Sequence, residues 1–598
     1  MTAPALRVWA PSAAEVVVEA ARPGDRPTTH PMTRADGGWW EWPRPDGEPL
    51  DYAFRLDGGE PRPDPRSAWQ PHGVHGPSRT FDAAAFEWTD AGWAGTRGGA
   101  GVLGAVVYEL HIGTFTEAGT LDAAIAHLPH LVDLGVDLVE VMPVGAFGGT
   151  HGWGYDGVQP YAVQEAYGGP AALQRLVDAC HAVGLGFCLD VVYNHLGPTG
   201  NYLAEFGPYF SSAHETPWGQ AVNLSGPESH EVRCWVIDNA LRWFRDFHVD
   251  ALRLDAVHAL HDDSGRHLLA ELSDEAATLS RALGRPLDLI AESDLNDPLM
   301  VTPTRQGGFG MTAQWDDDIH HALHVALTGE RAGYYEDFAG GTAAWPQGGP
   351  LSVLAKTLTE VFLHDDRPST FRGRRWGRHV DPHRFSGHRF LAYLQTHDQV
   401  GNRATGDRIS ESITPGQQAI GAAIYLLSPY TAMIFMGEEW RAGTPFRFFT
   451  SFEEEDLAEA VRTGRRREFA AHGWAASDVP DPQDPATRHA SVLRWDEPDR
   501  QGHADMLAYY RRLIEVRRTE PDLTSGDLTA LDVRVDDDLG WLVMRRGDIA
   551  VAANFAADAQ TLPLHGNAWE TLASWGDHHT EVSGIRLDGH TVAVVRTI

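Results

Sequence analysis

The stretch Asp250–Leu260, "DALRLDAVHAL", decides how the rest of the chain is read. It has the apolar character of a buried strand, yet Arg253 and Asp255 interrupt it two residues apart. Side chains alternate across a strand, so Leu252 and Leu254 share one face and Arg253 and Asp255 the other. An unpaired buried charge costs several kcal/mol, so each of the two needs a partner or a task. In a parallel barrel one strand face meets the outer helices and the other points inward. Charges are tolerated inward near the C-terminal mouth, where solvent or substrate can meet them.

Seven further segments have the same texture: "AVVYELHIGTF", "VDLVEVMPV", "GFCLDVVYNH", "LDLIAESD", "MTAQWDDD", "RFLAYLQTHD" and "TAMIFMGEEW". Amphipathic stretches such as "TLDAAIAHLPHLVDLG" and "GPAALQRLVDACHAVG" lie between them. Eight β–α units of this kind predict an α/β fold, a (β/α)8 TIM barrel, with a doubly wound open sheet as the alternative topology. Before the barrel, "LRVWAP", "EVVVEA", "WWEWP" and "DYAFRLDG" read as a small β-sandwich over residues 1–92, followed by a linker at Trp93–Gly104. The barrel is expected over 105–520, with a loop insertion near 196–230 after the third strand. The paired strands of "GWLVMRRGDIAVAANFA" and "RLDGHTVAVVRTI" predict hairpins in a small C-terminal β domain, 521–598. An Arg/His-rich stretch precedes the seventh strand, "DDRPSTFRGRRWGRHVDPHRFSGHRF". It reads as a solvated loop rather than an anion site.

Composition narrows the function classes. With 598 residues, 42% hydrophobic and 22% charged, the chain has ample length for a large core. A formal net charge of −35 disfavours nucleic acid and anionic membrane surfaces as partners. Lys356 is the only lysine; there is no Walker motif, and a Schiff-base mechanism would rest on that one residue. Three cysteines, Cys180, Cys188 and Cys234, without a CxxC pair argue against a disulfide framework or zinc-thiolate site. The beginning "MTAPALRVWAPS" lacks the pattern of a leader. The run Ala419–Gly437, split by Pro429, reads as a buried helix followed by a buried strand rather than a membrane span. A soluble cytoplasmic protein is expected.

Several predicted strands end in ionisable or polar residues: Asp190, Asn194 and His195; Glu292; Asp316 to Asp318; His397 and Asp398. A closed barrel gathers these ends into one ring, with Asp255, Glu292 and Asp398 as candidate catalytic carboxylates. Any one of them alone would more simply cap a strand or neutralise Arg253; three together, with Arg253, His195 and His397, point to an active site. Convergent carboxylates suit glycosidic bond cleavage, in which one attacks the anomeric carbon and a protonated one donates to the leaving oxygen. Neighbouring negative charge keeps the donor protonated.

On "DVVYNH", "ALRLDAVH", "IAES" and "LQTHDQVGNR", in that order, the chain resembles the α-amylase superfamily, glycoside hydrolase family 13, over most of Val106–Arg518. The N-terminal sandwich is similar to the family's starch-binding-type domains. Finer features, "GGTHGWGYDGVQPYAV", "TPWGQAVNLSGP", "FMGEEW" and "TPFRFFTSF", resemble members acting at trehalose-terminated glucans. The resemblance implies retaining hydrolysis of the α-1,4 bond next to the trehalose end of maltooligosyl trehalose. No cofactor is expected, and a monomer or dimer is expected as the working form. It implies Asp255 as nucleophile, Glu292 as general acid/base and Asp398 as the carboxylate supporting the transition state. Arg253 would orient the nucleophile, His195 and His397 would hydrogen-bond the sugar, and Tyr155 would lie under it. His258 matches the leaving-group side, and Asp190 and Asn194 match supporting positions. Retention requires Asp255 and Glu292 about 5–5.5 Å apart. Residues Arg374 to His379 match no signature. Phe448–Phe449 fit either the substrate groove or the core, and Glu438 and Glu439 fit either substrate selection or helix capping.

Three rivals stand beside this reading. A branching or transglycosylating enzyme would use the same carboxylates. A non-catalytic glucan-binding barrel would have lost them, and all three are present. A metallohydrolase would rest on His320 and His324 in "DDDIHHALH", without HExxH. Some amylases hold structural calcium, but no signature here obliges a metal.

Overall fold

In the computed structural model, residues 5–44, 47–470, 475, 478–564, 569–581 and 584–597 are described. Met1–Pro4, the start of the stretch read for a leader, lie outside them. Eight parallel strands close into a barrel: β1 Val106–Leu110, β2 Leu138–Val141, β3 Gly186–Val191, β4 Ala251–Leu254, β5 Asp288–Ala291, β6 Ala313–Trp315, β7 Phe390–Tyr393 and β8 Thr431–Phe435. Each pairs with its sequence neighbour, and β8 returns to β1. Every strand contributes to a separate apolar cluster that includes Val107, Leu138, Cys188, Ile290, Leu391 and Met433, the packed inside of the barrel. The alternate residues, such as Leu252 and Leu254, pack outward against the helices in the main core. Both strand faces are buried, which is why these segments read as continuous apolar runs.

Helices cover the barrel after each strand but one: Leu121–Ile125 with Leu128–Leu134, Gly169–Ala182, Ser229–Asp246, Leu268–Leu283, Asp317–Thr328 with Pro350–Glu360, Pro415–Leu427 and His503–Thr519. The exception corrects the expectation of eight like units. Between β5 and β6 there is only a 3₁₀ turn, Thr304–Gln306. Pro298 and Pro303, with Gly307, Gly308 and Gly310, cannot sustain a helix. The apolar run around Pro429 is a buried helix and β8, and among the described residues no helix is long and apolar enough to cross a membrane.

The segment expected to be a linker is a plug. Val102 is buried with the barrel's inner residues, and its N–H donates to the Asp288 carboxylate at 2.8 Å. Trp93 Nε1 donates to Asp250 at 2.8 Å. Asp250 opens the decisive stretch and also takes the Phe187 N–H and an Arg285 N–H, at 3.0 and 2.9 Å. His181 bridges Asp250 and Asp90, at 3.0 and 2.8 Å.

On the N-terminal side, Leu6–Trp9, Thr33–Arg34 and Trp39–Trp42 form one sheet, and Val16–Ala21, Thr28–Pro31, Asp51–Leu56 and Pro61–Arg62 belong to a second. On the C-terminal side, Trp541–Arg546 and Ile549–Asn554 pair as the expected hairpin. The strands of "RLDGHTVAVVRTI" do not pair with one another. Gly584–Leu587 joins a three-stranded sheet, whereas Thr591–Thr597 joins the five-stranded sheet holding the hairpin. Ile585 and Leu587 face Ala593 and Val595 across one core, so burying both apolar sets outweighs local pairing. The insertion after β3 carries a short helix, Leu203–Phe206, and a hairpin, Phe210–Thr216 with Gly219–Val222. The Arg/His-rich stretch forms a hairpin, Arg367–Ser369 with Arg374–Trp376.

Candidate active site

The two charges of β4 are answered at the C-terminal mouth. Arg253 is fully buried, with its guanidinium over the Trp315 ring at 4.3 Å. Its Nη1 donates to Asp190 Oδ2 at 2.6 Å and to Asp255 Oδ1 at 2.9 Å, and its Nη2 forms an ion pair with Glu292 at 3.0 Å. One cation therefore meets carboxylates from the ends of three neighbouring strands. Burial works against the arginine's charge, and these carboxylates more than restore it. Burial pushes Asp190 up to about 7, with Arg253 opposing the rise and Asp255 adding to it.

Each carboxylate is held in place. Asp255 follows β4 directly; its Oδ2 accepts from Asn194 Nδ2 at 2.8 Å, and its N–H bonds to Val191 O at 3.0 Å. Beyond it the chain turns left-handed at Ala256, φ 41°, a costly conformation for a residue with a Cβ. The turn points the Ala256 N–H at Glu292 Oε2, 2.6 Å away. The other Glu292 oxygen makes no hydrogen bond among the described residues. Asp398 sits in the first turn of a short helix, His397–Gly401, whose capping box joins Thr396 and Gln399. Asn402 donates to Asp398 Oδ1 at 3.1 Å, and His397 Nε2 lies 3.5 Å from the same oxygen.

The expected sugar-binding residues surround this trio. Tyr155 donates to Asp190 at 2.7 Å and stacks on His397, with centroids 5.1 Å apart. His195 contacts Asn194 Oδ1 and Tyr155 O at 2.5 and 3.1 Å. Burial lowers its pKa. Trp218, half-exposed at the tip of the post-β3 hairpin, stacks on the same imidazole at 5.1 Å. His258 follows on the 3₁₀ turn Val257–Ala259, where its Nδ1 accepts the Asp294 N–H at 3.4 Å. Burial and two carboxylates decide the state of His397. Desolvation pulls its pKa down, but Asp398 and Glu109 raise it to about 9.

Other readings are corrected. Phe449 is fully buried against His111 and Phe446, a core residue, while Phe448 packs on Trp153 at 5.2 Å. Glu438 and Glu439 are buried among the helices: Tyr425 and Tyr510 donate to Glu438, and Tyr108 and His130 contact Glu439. They neither face the mouth nor cap a helix. His320 bonds Leu394 O and Tyr335, and His324 bonds Glu330, so the two do not converge on a shared point. Lys356 Nζ lies 2.5 and 2.7 Å from Glu360 and Asp365, held between the two carboxylates. Glu360, Asp365 and His379 have metal-like spacing, and Lys356 already pairs with both carboxylates of the set. In the Arg/His-rich hairpin, Arg372 pairs with Asp294 and Arg378 with Asp297, which straps it to the post-β5 loop.

Sequence reasoning missed Asp317 and Glu109 as site residues. Asp317 accepts from Tyr393 Oη at 2.5 Å. Burial lifts it to about 7, with Glu292, Asp294 and Asp398 adding to the rise against the Tyr393 hydrogen bond. Its position after β6 was the available signal, diluted by two flanking aspartates. Glu109 lies within β1 and looked like one acidic residue in an apolar strand.

A closed parallel barrel with Asp255 and Glu292 paired to one buried arginine at its C-terminal mouth, and Asp398 following β7, has the architecture of an α-amylase-type glycoside hydrolase. Family comparison agrees: residues 87–215 match the alpha amylase catalytic domain, 2–69 match carbohydrate-binding module 48 (isoamylase N-terminal domain), and 528–594 match a domain of unknown function, DUF3459. A malto-oligosyltrehalose trehalohydrolase of Mycobacterium tuberculosis (strain H37Rv) is 51% identical over 595 residues, 98% of each chain. One of Arthrobacter ramosus is 50% identical, covering 98% of this chain and 99% of its own. A crystal structure from Salmonella typhimurium, carrying a provisional alpha amylase name, superposes with a TM-score of 0.88 at 36% identity, covering 99% of this chain and 97% of its own. The chain belongs to the malto-oligosyltrehalose trehalohydrolase family of the α-amylase superfamily.

Proposed function

We propose that this chain cleaves, with retention, the α-1,4-glucosidic bond next to the trehalose end of maltooligosyl trehalose and releases trehalose. The observation that carries the chemistry is the single buried guanidinium of Arg253 holding Asp190, Asp255 and Glu292 together. Full-length similarity to trehalohydrolases favours this bond, and hydrolysis over branching. Sharing one arginine keeps Asp255 and Glu292 close, in keeping with the about 5–5.5 Å of a retaining pair.

In this mechanism Asp255 Oδ2 attacks the anomeric carbon. Arg253 and Asn194 orient that carboxylate. Glu292 delivers a proton to the leaving oxygen of the trehalosyl unit from Oε1 and then takes one from the incoming water. Asp398, whose side chain is 37% exposed, keeps Oδ2 for sugar hydroxyls, and His195 and His397 add hydrogen bonds to the same ring. Tyr155 lies beneath that ring, Asp190 braces Tyr155 and Arg253, and His258 lines the leaving-group side. The same reading places the work in the cytoplasm, supported by three free thiols, with a monomer or dimer as the acting form.

Incubation with maltotriosyl trehalose tests this reading. Free trehalose and maltotriose, the latter born as the α-anomer in an early NMR spectrum, are expected. New α-1,6 branches or a β-anomeric product would overturn it.

A further inference from the structure

Inside the barrel, below the site, lies a grip that the mechanism above does not use. Glu109, on β1, is 1% exposed and points inward. One of its carboxylate oxygens accepts from His397 Nδ1, and the other accepts from the His397 backbone N–H at 3.1 Å. The two residues are 288 positions apart in the chain. Both ring and main chain of His397 are thus clamped from a strand two places round the barrel, while Tyr155 stacks on the ring and Trp153 meets its edge at 5.7 Å.

We propose that Glu109 is a positioning residue: by gripping His397 at Nδ1 and at its backbone, it presents Nε2 as a proton donor at the sugar ring beside Asp398. The inference deepens the reading above and rests on its placement of His397 and Asp398 at the sugar. A carboxylate can only accept, so the Nδ1 proton is committed to Glu109. A lone neutral imidazole so committed would leave Nε2 bare, an acceptor where a donor is wanted. A negative charge against Nδ1 lets the ring carry both protons.

The charged and titratable groups facing the imidazole are Glu109 from β1, Glu140 from β2, Arg253 from β4, Asp398 beside it, the Tyr155 phenol, and His111 just beyond β1. Glu140 pairs in register with Glu109, and neither of its buried oxygens has a hydrogen-bond partner among the described residues. Burial, reinforced by Glu109, pushes its pKa far up, so it adds no second negative charge. Burial lowers His111 to about 3, so it is neutral too. The imidazolium is left with Glu109 and Asp398 on one side of the balance and Arg253 on the other.

Glu109→Gln keeps the shape and removes the charge. Its kcat/KM, divided by that of the unaltered enzyme at each pH, is expected to be highest near about pH 5.5 and to fall about tenfold for each unit above the lowered His397 pKa. Glu109→Asp, which keeps the charge but not the reach, is expected to lose activity evenly across pH. A Glu109→Gln ratio that is flat with pH would overturn the proposal, because a purely structural role lowers activity at every pH alike. Should Glu109→Gln not fold, ¹⁵N-histidine NMR of the intact enzyme decides, with His397 assigned by the loss of its signals in His397→Gln. Protonation of both ring nitrogens at about pH 7.5 supports the role, and a neutral ring there overturns it. The NMR measurement needs no substrate, and loss of turnover in Asp255→Asn tests the wider reading separately, so the two can fail independently.

Discussion

The two ends of the barrel both bury charge, on the same strand, and use it oppositely. At the N-terminal rim, Asp250 has four donors: Trp93, Phe187, Arg285 and His181. Asp90 beside it is shared by His181 and His248, and their hydrogen bonds outweigh burial to hold its carboxyl below the usual range. Three residues along β4, Arg253 faces Asp190, Asp255 and Glu292, three carboxylates for one cation. The saturated cluster fastens the plug to the barrel floor. The unsaturated cluster leaves carboxylate oxygens unspent, and the proposed mechanism turns those on the sugar. Balance, more than burial, separates a structural charge from a functional one.

The largest effect expected from this contrast is at the mouth. Asp255→Asn and Glu292→Gln should each lower kcat by about 10⁴-fold or more, while Tm stays level or rises because surplus negative charge is removed. Steady-state kinetics and a thermal melt check both halves, and turnover within tenfold of the original in either variant would break the comparison. At the floor the outcome should invert. Asp250→Asn leaves Arg285 with backbone acceptors alone and His181 with Asp90 alone, and should cost about 3–5 kcal/mol of stability, with kcat per folded molecule unchanged. Denaturant unfolding beside active-site titration measures this.

A third cluster extends the comparison, because after β6 it sets one imidazole between two buried carboxylates. His364 stands between Asp337 at 3.0 Å and Asp318 at 3.6 Å. Burial opposes its charge, yet those two carboxylates raise its pKa from 6.5 to about 9. A raised pKa stabilises the fold fully below about pH 6.5, and that contribution fades as pH climbs through about 9. His364→Gln should therefore lower Tm at pH 6 and flatten its decline between about pH 6.5 and 9. Parallel Tm curves for the two proteins would refute it. The smallest effect belongs to Tyr155→Phe, which deletes one hydrogen bond to Asp190. A loss of about tenfold in kcat/KM is expected, about 1.4 kcal/mol, with Tm nearly unchanged.

Much of this was legible in the chain. Short apolar strands, each ending in a polar residue, predicted the barrel, and the ordered motifs around Asp255, Glu292 and Asp398 predicted the acidic ring. The fifth unit was misread because helix signals elsewhere were generalised to a segment whose prolines and glycines forbid one. The strands of "RLDGHTVAVVRTI" part into two sheets because the apolar faces of both had to be buried between those sheets. Asp317 was hidden among three consecutive aspartates whose different surroundings no spacing reveals.

By itself, the sequence determined which residues carry charge inside apolar strands, and hence that a task or a partner had to exist for Arg253 and Asp255. Only the tertiary structure decided which partner each received. Arg253 and Glu292 are 39 positions apart, and His397 and Glu109 are 288. Closing the barrel brings such groups within hydrogen-bonding distance, and at that distance inside a low-dielectric core neighbouring charges set which protons stay on.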